Sequence, residues 1–107
     1  MITTYKDLIV WQKAIDLTVA VYELTEKFPK EEIYGLTSQM QRAAVSIPAN
    51  IAEGYGRVHR GDYLQHLSIS RGSLAELETH IALAARLGFV DGRKLRVCGT
   101  CYRDATQ

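Results

Sequence analysis

The stretch Ser46-Ile47-Pro48-Ala49-Asn50-Ile51-Ala52-Glu53-Gly54-Tyr55-Gly56-Arg57, SIPANIAEGYGR, decides the fold. Helical patterning runs into it and out of it, yet it holds a proline, an asparagine and two glycines. Upstream, Leu36, Met40 and Ala43 continue into Ile47 and Ile51 at helical spacing, which gives one inward face. Pro48 has no N–H, and its ring collides with the carbonyl of Ala44. The chain must therefore either break and restart with Ser46 as cap, or kink within one helix. The apolar spacing passes from Ile47 to Ile51 without a phase slip, which selects the kink. The stretch predicts a helix from about Thr37, its N-cap, to Glu53, with Gly54 and Gly56 ending it.

Working outward, Val10, Ala14, Leu17, Val21, Leu24 and Phe28 are spaced 4-3-4-3-4 and predict a preceding helix capped by Asp7 and ended by Pro29. Trp11, Ile15 and Tyr22 widen its apolar stripe beyond one narrow seam, so some of them are expected between subunits. Glu31-Glu32-Ile33-Tyr34-Gly35 reads as a short turn. Beyond Arg57, Asp62 is the predicted cap of a third helix. Tyr63, Leu67, Ser70, Leu74, Leu77, Ile81 and Ala84 form its seam, with Gly88 at its end. Leu95, Cys98, Tyr102 and Ala105 share a face of a weaker fourth segment. The expectation is one all-α domain over residues 1–107: an antiparallel up-down four-helix bundle with a kinked second helix and an atypical C-terminal segment at 92–107.

A chain of 107 residues with a hydrophobic fraction of 47% supports one modest core. No apolar run reaches the roughly 18 residues of a membrane span, and the N-terminus does not read as a secretory signal. With two cysteines, this leads to an expected reducing, cytoplasmic location and no membrane partner. The net charge of +1 hides an asymmetry. Residues 1–53 carry five basic against seven acidic side chains, and residues 54–107 carry eight basic, mostly arginine, against five acidic.

The segments YKDLIVWQKAIDL, FPKEEIYGLTSQMQRAAVSIPANIAEGYGR and YLQHLSISRGSLAELETHI, in that order over residues 5–90, resemble the small four-helix-bundle proteins encoded in intervening sequences of bacterial 23S ribosomal RNA genes. These in turn are similar to the accessory variability-determinant protein of diversity-generating retroelements. The resemblance implies a bundle that assembles as a homopentamer, and it implies no established catalytic activity. Through the retroelement proteins it implies nucleic acid and a reverse transcriptase as partners. The ending LRVCGTCYRDATQ departs from the leucine-rich last helix of that family.

Two groups of polar residues are candidate sites. Arg57, His59 and Arg60 occupy a predicted loop, with Tyr55 and Tyr63 beside them. Arginines bind phosphate and aromatic rings stack on unpaired bases, so Tyr55, Arg57, His59 and Arg60 are the candidate nucleic-acid contacts, RNA favoured over DNA. A symmetric ring would repeat them at one end. Asn50, Glu53, Arg71 and Glu78 form a candidate structural polar network, in which a buried Arg71 should meet Glu53 or Glu78. Cys98 and Cys101 match C-x-x-C but lack the further ligands of a zinc site and the strand of a redox motif. Neither a metal, a cofactor nor a catalytic triad is expected. The favoured reading is a non-enzymatic binding protein; the alternative is a protein-binding scaffold for a mobile-element enzyme with no direct nucleic-acid contact.

Overall fold

The computed structural model describes residues 3–90. Three helices follow in order: α1 (Ile9–Thr25), α2 (Leu36–Tyr55) and α3 (Arg60–Arg86), with 3-10 turns at Tyr5–Asp7 and Lys30–Glu32. The described residues contain these three helices and no strand. The expected fourth segment, with Leu95, Cys98, Tyr102 and Ala105, lies outside them. Short connections make successive helices antiparallel. The central helix is α2: it packs on both α1 and α3, whose backbones do not contact each other.

The predicted seams form the core. Ala14, Leu17, Val21, Leu24 and Phe28 from α1 and the following turn meet Leu36, Met40, Ala43, Ala44, Ile47 and Ile51 from α2. Leu74, Leu77, Ile81 and Ala84 complete the core from α3. Leu17, Met40, Ile47 and Leu77 are the bulkiest wholly buried side chains, each contributing about 1.5–3 kcal/mol of transfer energy. Val10 and Leu67 pack at the edge. Trp11 also joins that edge, its ring edge-on to Tyr5 at 5.4 Å, while Tyr22 remains 45% exposed.

One helix runs through Pro48 without interruption. The proline removes the N–H that would serve the Ala44 carbonyl. Thr18 of α1 supplies the replacement: its Oγ1 lies 3.1 Å from that carbonyl and 2.8 Å from the carbonyl of Ala14 in its own helix. The two predicted terminators differ in role. Gly56 is the C-cap, but Gly54 lies within the helix, buried against α3. A Cβ on Gly54 would stand 2.9 Å from the Cβ of His66, so the glycine permits a close helix crossing.

The three predicted N-caps lie elsewhere. Asp7 closes the capping box of the first 3-10 turn, accepting from the Thr3 amide at 2.9 Å and the Thr4 amide at 3.2 Å; α1 itself starts after Leu8. Thr37 sits inside α2, which starts at Leu36. The Leu36 amide donates to Glu32 Oε1, and Thr37 Oγ1 is buried without a hydrogen bond. Asp62 is in the first turn of α3, near the positive end of the helix dipole, while His59 takes the cap position. In each case a capping residue one to three positions from the true boundary drew the prediction. At the far end of α3, Gly88 adopts φ +80°, and the Gly88 and Phe89 amides donate to Ala85 and Ala84. This double closure is the glycine stop that the sequence predicts. It sets Phe89 against Phe28 at 5.5 Å.

Candidate nucleic-acid interface

The connection between α2 and α3 is only four residues, Gly56 to His59, because Gly56 caps one helix and His59 begins the other. Tyr55, Arg57, Val58, His59 and Arg60 are all exposed, with Val58 at 93% marking the tip. Arg57 Nη2 donates to Glu53 Oε1 at 2.8 Å, one turn back on α2. Both side chains are about half exposed, so the pair is worth under about 1 kcal/mol and mainly orients Arg57. Arg60 makes no ion pair among the described residues.

The antiparallel packing of α1 on α2 brings a further cation to this end. The 3-10 turn Tyr5–Asp7 packs against α2 and carries the exposed Lys6. The sequence separation of Lys6 from Arg57 conceals this; only the antiparallel pairing of the first two helices reveals it. Three carboxylates share the end: Asp7, Glu53 and Asp62. Asp7 is held by backbone donors and Glu53 by Arg57. The Thr3 amide, then the Thr3 hydroxyl and the Thr4 amide, hold the Asp7 carboxyl below its ordinary value. Any anion attraction therefore depends on how Arg57 and Arg60 project, not on a net positive charge.

The second group of candidates separates. Asn50 Nδ2 donates to the Ser46 carbonyl at 2.8 Å and to Ser46 Oγ at 3.0 Å, which leaves Asn50 Oδ1 to accept from His66 Nδ1 at 3.0 Å. With the Asn50 amide so oriented, His66 Nδ1 is the donor of that bond. Ser73 Oγ donates to Ser46 Oγ at 2.9 Å, and Ser70 Oγ to the Ile47 carbonyl at 3.1 Å. These bonds join α2 to α3 along one flank. Of the four residues predicted for a polar network, Asn50 alone enters it. Glu53 pairs with Arg57. Arg71 and Glu78 are exposed on α3, and Arg71 meets neither Glu53 nor Glu78, since water solvates an exposed guanidinium without a partner. Ser46 and His66 were missed, whereas Ser73, which the sequence groups with Arg71 and Glu78 on the third helix, does enter the network. Their signal is the helix register, which pairs residues 46 with 73 and 50 with 66.

Among the described residues no group of three or more histidine, cysteine or acidic side chains could hold a metal ion, and no helix is long and apolar enough to cross a membrane. Cys98 and Cys101 lie outside the described residues.

The family model for the 23S rRNA-intervening sequence protein matches residues 6–104. The chain belongs to this family. Among solved structures it is similar to a protein of unknown function from the S23 ribosomal protein family of Bacteroides thetaiotaomicron. That likeness has a TM-score of 0.80 at 20% identity and covers 91% of each chain, so it shows a shared fold. No curated protein matches the chain. The function of the family is not established.

Proposed function

We propose that the protein is a non-enzymatic, cytoplasmic helical-bundle protein that assembles into a ring, a pentamer, and binds RNA through the α2–α3 turn. The observation that carries this reading is the joint exposure of Tyr55, Arg57, His59 and Arg60 on a four-residue connection at one end of the bundle. A ring whose axis runs along the helices repeats that turn on one rim. Weak single contacts then add along one phosphate backbone. Tyr55 offers a ring for an unpaired base, and nothing on the rim forms an array suited to base edges, so sequence preference should be weak.

The decisive experiment is the salt dependence of RNA binding for the parent and for R57A/R60A. Each lost phosphate contact removes about 0.7–0.9 from the salt slope. The double variant should bind more weakly across all sequences with a flatter slope, while its stability stays within about 0.5 kcal/mol. Equal binding by parent and variant would remove the turn as the contact surface. No binding by the parent at low salt would leave the scaffold for a mobile-element enzyme as the working function. The groove between α1 and α2, with Val19 and Tyr22 exposed, is the feature that favours that second reading.

A further inference from the structure

Two surfaces have no partner among the described residues, and they are unlike in charge. The first is the groove between α1 and α2, about 400 Å³, whose walls are the apolar faces of Val19 and Tyr22 and whose floor includes Gln41. Val19 is 52% and Tyr22 45% exposed, an unusual loss for two residues flanking a core seam. Glu23 and Glu26 stand on its rim. Neither makes an ion pair among the described residues. The second surface is a shallow depression along α3, about 520 Å³, formed by Leu64, Leu67, Ser68, Arg71 and Gly72. Leu64 is half exposed, and space is open above Gly72. Arg71 is the one charge on it, also without an ion pair among the described residues.

Each surface thus combines exposed apolar area with unmatched charge of one sign. Their charges are complementary, and the groups that carry them sit at the α1 side and on α3, whose backbones do not contact each other in one chain. We infer that the α1–α2 groove of one copy receives the Arg71 face of α3 from a second copy. Arg71 meets Glu23 and Glu26, while Leu64 and Leu67 cover Val19 and Tyr22. The occupant of the groove is a second copy of this chain. Because the two surfaces differ, the contact is head-to-tail and propagates until a ring closes. This inference rests on the ring assembly proposed above and names its two surfaces.

Charge reversal tests it without touching the buried core. Light scattering at fixed micromolar concentration would follow the parent, E23K/E26K, R71E and the triple variant E23K/E26K/R71E, with far-UV circular dichroism confirming equal helicity. Either single-surface variant should need at least about tenfold more protein to assemble, because like charges then face one another across the contact. The triple variant restores opposite charges and should assemble near the parent concentration. Mixing E23K/E26K with R71E should recover open species larger than either forms alone, since alternating copies leave one like-charged contact in a five-membered ring. Parent-like assembly of both single-surface variants would overturn this pairing and leave a ring built on other faces. Loss in the singles without recovery in the triple variant would also overturn it. A parent that stays monomeric across the same range would overturn the ring itself, and this pairing with it.

Discussion

Thr18→Val should destabilise the protein by about 1–2 kcal/mol, and most of that loss should vanish when Pro48 is also replaced by alanine. Valine keeps the branched shape of threonine and removes only the hydroxyl. In the parent, Pro48 leaves the carbonyl of the fully buried Ala44 without its helical donor, and Thr18 Oγ1 stands 3.1 Å from it. An unpaired buried acceptor costs about 1–3 kcal/mol. In the Pro48→Ala background the amide of residue 48 returns to that carbonyl. Thr18 then contributes only its second bond, to an Ala14 carbonyl that already has a helical donor, and its loss should cost no more than about 0.5 kcal/mol. The coupling energy of the cycle should be near 1 kcal/mol. Urea unfolding at one fixed protein concentration measures it, since assembly shifts apparent stability by mass action. An equal cost of Thr18→Val in both backgrounds would refute the reasoning, because the hydroxyl proton would then belong to Ala14 alone.

Two glycine substitutions on facing helices should have opposite signs. Gly54→Ala places a methyl 2.9 Å from the His66 Cβ and should cost about 1–3 kcal/mol in spite of its better helix propensity, whereas Gly72→Ala meets nothing within 4 Å and should stabilise the isolated chain by up to about 1 kcal/mol in thermal unfolding. Asn50→Ala removes the link between Ser46 and His66 and should cost about 1–2 kcal/mol, with the His66 Nδ1 proton losing its hydrogen-bonded shift in NMR spectra. The Asp7 carboxyl is held below its ordinary value of 3.8, so its contribution is present above that value and is lost as pH falls through the lower, folded value. Amide exchange at Thr3 and Thr4 should therefore accelerate in strong acid, and Asp7→Asn should weaken that protection at neutral pH.

The helices and their inward faces were legible because one chemical pattern, apolar residues at 4-3 spacing, is local in sequence and is confirmed turn after turn. Leu17, Ile47 and Leu77 could be placed in a core from spacing alone. The caps were less legible because Asp7, Thr37 and Asp62 satisfy the cap rule equally well one to three residues from the boundary, and only the competing bonds decide. Asp7 is taken by the Thr3 and Thr4 amides, and Glu32 reaches the Leu36 amide before Thr37 can act. Pro48 was read as compatible with a continuous helix, but its relief by Thr18 was invisible, since that bond spans 26 positions. The polar network failed for the same reason. Asn50 was correctly singled out as an odd residue in a seam, yet the bonds that carry its network across to α3, His66 to Asn50 and Ser73 to Ser46, depend on the register of α2 against α3. Arg71 and Glu78 lie just beyond the edge of that contact, where the helix has turned them to water.

That division bears on what the unusual residues of the SIPANIAEGYGR stretch are for. Pro48, Asn50 and Gly54 each face another helix: Thr18 answers the first, Ser46 and His66 the second, and the close passage of α3 explains the third. A residue whose polar capacity is already used between helices cannot also hold a ligand without breaking that contact. These three residues therefore set the register and separation of the bundle, and the candidates for function are the side chains that remain. Within and just beyond the stretch these are Tyr55, Arg57, His59 and Arg60, of which Arg57 alone is tethered, to an exposed Glu53 that a phosphate can displace for under about 1 kcal/mol. A rigid helix crossing at Gly54 places this turn one step away, so the exposed side chains project from a fixed base. Disturbing that crossing, as Gly54→Ala does, should impair any binding at the turn through misplacement even though Gly54 itself touches no ligand.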